Sequence, residues 1–223
     1  MYSGGGLGWG SEGVESRKIG KPMQAYKISI KLFALKDEFA PSEFVPVFHR
    51  WIQTQALTDH MLVDVADYAH VHNGPGTVLV TQQANLYTDR TDGRLGLLYT
   101  RKLPLDGAET FADRLRQVLT AALKSAALLE REPALAGRMA FRTNEFLIRI
   151  NDRLLAPNTA ETFASIKGDL DQVTKEVYGQ SARLEHKPSS QTLFEVRVAT
   201  SQSPAISAIL EHLAAAAPAG ASA

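Results

Sequence analysis

The chain has 223 residues, 44% hydrophobic and 22% charged, with 24 Lys and Arg set against 24 Asp and Glu and no cysteine. A chain of this length suits one large domain or two small ones and can bury a core without staples, about 70% of its unfolded surface being covered on folding. The charge balance disfavours a nucleic-acid binder that works by neutralising many phosphates and eases self-association; the lack of cysteine excludes disulfides, zinc–thiolate sites, iron–sulfur clusters and thiol nucleophiles.

Residues 1–24, MYSGGGLGWGSEGVESRKIGKPMQ, are glycine-rich and show no hydrophobic period. They are expected to form a flexible arm with Tyr2, Leu7 and Trp9 as anchors. The Gly6–Gly10 run superficially looks like a dinucleotide loop, but it neither follows a strand signal nor opens a helix. AYKISIKLFA alternates Tyr26, Ile28, Ile30 and Leu32 against Lys27, Ser29 and Lys31, the pattern of a half-buried strand. PSEFVPVFHRWIQTQA puts Phe44, Phe48, Trp51 and Ile52 on one helical stripe, with Pro46 tolerated in the first turn.

Three strands are then expected, in HMLVDVADYAHV, TVLVTQQANLYTD and RLGLLYTRKL, separated by Asn73-Gly74-Pro75-Gly76 and Asp92-Gly93. Residues 106–132 read as a helix with an Asp106/Glu109 capping pattern and Phe111, Leu115, Val118, Leu119, Ala122, Ala126 and Leu129 on one face. GRMAFRTNEFLIRIN reads as a hairpin about Thr143-Asn144-Glu145. A helix from Asn158 to Gly179, a hairpin turned at Pro188-Ser189-Ser190 and a short helix after Ser203-Pro204 complete the set.

The order β-α-β-β-β-α-β-β-α-β-β-α predicts an α+β fold, a mainly antiparallel sheet with helices packed on one face. A single domain is expected over 25–213, with sub-blocks at 25–132 and 138–213 and a flexible tail at 214–223. The other sheet face, carrying Lys, Gln, Arg and Thr, is a natural interface or binding floor.

The candidate chemistry centres on ADYAHVHNGPG, residues 66–76. If a strand runs through it, His70 and His72 stand on one face roughly 7 Å apart, a spacing that can chelate a metal with a third ligand from His49, His60, Glu109 or Asp89. Asp67 would then face inward with Met61, Val63, Val65 and Val71, and a buried carboxylate needs a partner or a raised pKa. Tyr99 and Arg101 share a strand face, a pairing suited to an anionic or planar ligand. The motifs G-x-S-x-G, S-x-x-K, H-E-x-x-H and G-x-x-x-x-G-K are absent, which lowers the odds of nucleophilic, zinc-peptidase or P-loop chemistry.

The strings FVPVFHRWIQ, VDVADYAHVHNGPGTVLV, DGRLGLLYTRK and NDRLLAPNT, spread over residues 44–159, resemble an uncharacterised family of bacterial proteins. The resemblance implies a bacterial, cytoplasmic protein and carries no activity or site residue. With no apolar leader and no window of about 18 apolar residues, neither export by a standard signal nor membrane spanning is expected. The function expected is a non-enzymatic binding or assembly protein, a homo-oligomer holding a peptide or small molecule on a sheet face or edge through Asp67, Tyr99 and Arg101, with no cofactor. The alternative is a metal-dependent hydrolase or oxygenase built on His70 and His72.

Overall fold

A computed structural model of the chain describes residues 23–71, 74–135 and 137–216. The expectations placed on the amino-terminal arm up to residue 22, on the tail from 217 and on His72 lie outside the described residues. Among those described, eight strands form one antiparallel sheet and four α-helices lie on one of its faces, an α+β fold.

In chain order the elements are β1 (Ile28–Ala34), α1 (Phe44–Thr54), β2 (Leu62–Asp67), β3 (Thr77–Thr81), β4 (Ala84–Asp89) and β5 (Gly96–Arg101), then α2 (Phe111–Glu130), β6 (Phe141–Ile150), α3 (Ala160–Tyr178), β7 (Arg183–His186), β8 (Phe194–Ala199) and α4 (Ile206–Ala216). The sheet order is β2-β3-β4-β5-β1-β6-β8-β7, so β1, first in sequence, lies between the two blocks and pairs with both β5 and β6.

The core follows from the alternation. Ile28, Ile30 and Leu32 of β1, Leu86 of β4, Leu97 and Tyr99 of β5, Ile148 of β6 and Val196 of β8 are buried under the helices. α2 lies against β1 and β5, α3 and α4 pack on α2 and on each other, and α1 covers β2 and β3. On α1, Phe44, Phe48 and Trp51 of the expected stripe are buried, joined by Val47, while Ile52 is only half-buried.

Two segments differ from their pattern. TVLVTQQANLYTD makes two strands, because Thr81 closes a tight turn: its Oγ1 accepts from the Ala84 N–H at 2.9 Å and donates to the Ala84 carbonyl at 2.8 Å, leaving Gln82-Gln83 at the tip. FRTNEFLIRI makes one ten-residue strand rather than a hairpin. Thr143-Asn144-Glu145 has no residue that favours positive φ strongly enough to turn, and Glu145 and Asn144 are used in the sheet, the latter accepting from Thr200 N–H at 2.9 Å. The pairing with β1 is nonetheless irregular at this segment: Leu32 pairs with Phe146 and Ala34 with Phe141, so residues 142–145 of β6 bulge opposite Phe33 alone. The α2 cap also moves one turn on. Gly107 adopts φ +67°, which ends any helix started at Asp106, and Thr110 with Asp113 forms the reciprocal capping box.

The two sheet edges differ. β7 is four residues long and charged, its exposed Arg183 paired with Glu185 at 2.9 Å. On β2, Tyr68 N–H donates inward to Gly76, so ladder alternation turns Ala66 and Asp64 inward and leaves the N–H groups of Val65 and Asp67 pointing away from β3. Asp64 Oδ1 caps the Val65 N–H at 2.8 Å, and the strand is irregular between Leu62 and Asp64; both features blunt an edge against strand addition.

Candidate functional site: the open face of the sheet

The face without helices is made by the alternate residues. Ser29 and Lys31 of β1 stand beside Thr100 and Leu98 of β5 on one side and Arg149 and Leu147 of β6 on the other. Continuing the register by two residues brings Lys102, Lys27 and Asn151 into one row, with Asn151 N–H donating to the Lys27 carbonyl at 2.8 Å.

This row and the next one enclose a concavity of about 570 Å³ lined by Lys27, Ser29, Tyr87, Leu98, Thr100, Arg101, Lys102, Arg149 and Asn151. The volume falls in the range of roughly 300–1,000 Å³ typical of small-molecule sites. No carboxylate lines it. The floor is hydrogen-bonded: the buried Ser29 hydroxyl meets Thr100 Oγ1 at 2.9 Å and receives Asn151 Nδ2–H at 2.5 Å, and Asn85 Nδ2–H donates to Tyr87 Oη at 3.0 Å.

Four cationic residues line the concavity, Lys27, Arg101, Lys102 and Arg149. Arg149 is held by Glu195, which accepts from Nε at 3.0 Å and Nη2 at 2.8 Å. Lys102 donates to the Thr81 carbonyl, and burial pushes its ammonium pKa below the usual lysine range. Lys27 is exposed, with its ammonium 5.8 Å from the centre of the Tyr26 ring. Among the described residues, neither Lys27 nor Lys102 has a carboxylate within salt-bridge distance.

Further along β1 the open face closes over. Lys31 is 1% exposed and bridges Asp89 at 2.7 Å and Asp92, which draws the β4–β5 turn over the sheet. Gly96 makes room for it: a Cβ there would stand 2.8 Å from Lys31 Cε and 2.6 Å from the Leu32 carbonyl oxygen. Phe33 lies beneath the Arg94 guanidinium, 3.9 Å from the ring centre, and Arg94 holds Glu145 at 2.5 and 3.1 Å. That pairing keeps the Glu145 carboxyl below the usual glutamate range. This half of the face is saturated with ion pairs, while the Lys27 half is not.

Of the residues singled out in the sequence, Arg101 lines this concavity and the others fall elsewhere. Tyr99 and Arg101 do share a face, but it is the helix-covered one. Tyr99 is 1% exposed, its hydroxyl 2.8 Å from His60 Nε2, and burial raises the phenol pKa and lowers that of His60. Arg101 contributes to the rim of the concavity, with its guanidinium donating to the carbonyls of Leu103 at 2.9 Å and Pro104 at 3.1 Å.

Asp67 ends β2 and is exposed rather than inward-buried, because the edge strand runs out past its cover; its carboxylate accepts from Ala69 N–H at 2.8 Å. His70 lies beyond the strand in an exposed turn. Among the described residues no group of three or more His, Asp or Glu is placed to hold a metal ion.

Comparison of the chain with family models, with curated proteins and with solved structures finds no match in any of the three.

Proposed function

We propose that this protein is a non-enzymatic, self-associating binding protein that holds a small organic anion on the open face of its sheet. The observation that carries the reading is the concavity lined by Lys27, Arg101, Lys102 and Arg149 beside a hydrogen-bonding floor, with no carboxylate in the lining. In a chain of zero net charge such segregation is a local feature, and it gives an anion both a field and directed donors. Ser29, Thr100 and Asn151 tie the floor together before any ligand arrives, so little ordering cost falls on binding.

Self-association has its best surface on β2, where Met61, Val63 and, in the turn beyond, Tyr68 and Val71 are exposed. A bacterial, cytoplasmic setting belongs to the same proposal. A cysteine-free sequence suits a reducing compartment. No helix among the described residues is long and apolar enough to cross a membrane.

Calorimetric titration with acetate, succinate and inorganic phosphate tests the anion reading. Binding should be detectable for at least one of them, and Lys27→Ala should weaken it by about tenfold, the scale of one charge-assisted contact. If all three fail to bind at millimolar concentration, the reading is lost. Light scattering at several concentrations tests self-association, with a strict monomer as the adverse result.

A further inference from the structure

We infer that the ligand class is an amphiphilic anion, an acid head group carrying an apolar chain. This rests on the anion-binding reading above and adds to it the part of the ligand that is not charged.

Three of the exposed large hydrophobic residues stand at the Lys27 end of the sheet: Leu103 at 42% exposure, Leu154 at 96% and Leu155 at 47%. Leu103 follows Lys102 where the chain leaves β5. Leu154 and Leu155 come shortly after Asn151 where it leaves β6. β5 and β6 flank β1, so the leucines stand on two loops either side of Lys27, their parent strands about 10 Å apart at two strand spacings.

The Leu154–Leu155 turn is held in place. Asp152 Oδ1 accepts from the Leu154 N–H at 3.1 Å and the Leu155 N–H at 3.0 Å, and Arg153 donates to the Gln191 carbonyl at 2.9 Å. A leucine almost wholly in water on a turn fixed by three hydrogen bonds contributes little to folding. With Leu155 beside it, it forms a small apolar patch on a fixed turn at the Lys27 end of the sheet. Inside the concavity, Leu98 and the Tyr87 ring form a separate apolar patch, two rows from Lys27 across the Ser29–Thr100 row. A head group on Lys27, Lys102 and Arg149 leaves an attached chain to run out over Leu103 or along Leu154 and Leu155.

The test compares matched pairs of probes: acetate with octanoate, and inorganic phosphate with octyl phosphate, each below its micelle concentration, by calorimetric titration. The octyl member of at least one pair should bind about tenfold or more tighter, since burying even a few methylenes is worth that much. Which pair responds identifies the acid as carboxylate or phosphate. The double variant Leu154→Ser, Leu155→Ser, which adds no charge, should lose the octyl advantage while keeping its binding of the short anion. Both positions are exposed, and an unchanged melting temperature will show that the fold is intact. If the short anions bind as tightly as their octyl partners, or the double variant keeps the full advantage, the amphiphile inference fails and the anion reading stands. If none of the four probes binds, both fall together.

Discussion

On the helix-covered side of β1, Ile28, Ile30 and Leu32 meet Leu86, Tyr99 and Ile148 in one continuous apolar core. On the other side of the same seven residues, Ser29, Lys31 and Phe33 meet hydroxyls, carboxylates and guanidinium groups. The two faces are buried to similar depth at β1, where Lys31 is as inaccessible as Ile30, yet they are held by different forces. The covered face gains from area removed from water and tolerates no vacancy. The open face gains from matched charges where it is closed; where it is concave Arg149 is held by Glu195, while Lys27 and Lys102 have no carboxylate in salt-bridge distance among the described residues. Burial alone therefore does not separate scaffold from site here; the state of charge pairing does.

Substitutions should divide along that line. Phe48→Ala, in the aromatic run on α1, should cost about 3–5 kcal/mol in urea unfolding. A loss under about 1 kcal/mol would mean that α1 is not part of the core. Lys31→Met should behave like a core change although it sits on the open face, costing about 3 kcal/mol because Asp89 is left buried without its cation. Adding Asp89→Asn should restore much of the loss; a double variant no better than the single one would place the cost in packing rather than charge.

Acid should act mainly through the covered face. His60 is 7% exposed, and burial lowers its pKa below the ordinary 6.5, so the unfolded chain takes up a proton more readily than the folded one. The His60 contribution to stability is thus full above about pH 6.5 and declines as the pH falls through its lowered folded value. His186, stacked 4.9 Å from both Phe163 and Phe194, is lowered in the same direction by burial. Unfolding midpoints measured from pH 8 to 5 should therefore fall, and His60→Gln should flatten part of the decline.

The smallest expected effect is that of Lys27→Ala on folding, under about 0.5 kcal/mol for an exposed residue outside the ion-pair network. A large destabilisation there would make Lys27 scaffold and break the contrast between the two halves of the open face.

Much of the architecture can be read from local pattern. The alternation of β1 shows which of its residues meet the helices, but the strand is buried on both sides rather than half-buried, because ion pairs and the β4–β5 turn close over Lys31 and Phe33. Turns set by side-chain hydrogen bonds are harder to read: Thr81 folds QQ into a hairpin without Gly or Asn, whereas TNE offers polar residues and no turn. For the candidate site, the polar side of AYKISIKLFA is visible in sequence, but that Lys27 shares a row with Lys102 and Asn151 depends on pairings across 75 and 124 positions of chain, which no local period encodes. Tyr99 and Arg101 were a sound pair by alternation. What alternation leaves open is which side the helices take.

The placement of β1 has a consequence for how the chain comes together. It is made first, yet its second neighbour, β6, arrives only after more than a hundred further residues. A ribosome-bound chain that has completed α2 can form the β1–β5 meander but leaves an unzipped flank along Ile28–Ala34, a sticky template for any passing strand. Closing so long a loop is slow relative to local zipping. The same wiring makes the two blocks inseparable as products. A fragment ending near residue 132 would expose the flank meant for β6, and one beginning near 138 would lack the strand that seats it. Each should aggregate when expressed alone, and recover only when both are supplied together.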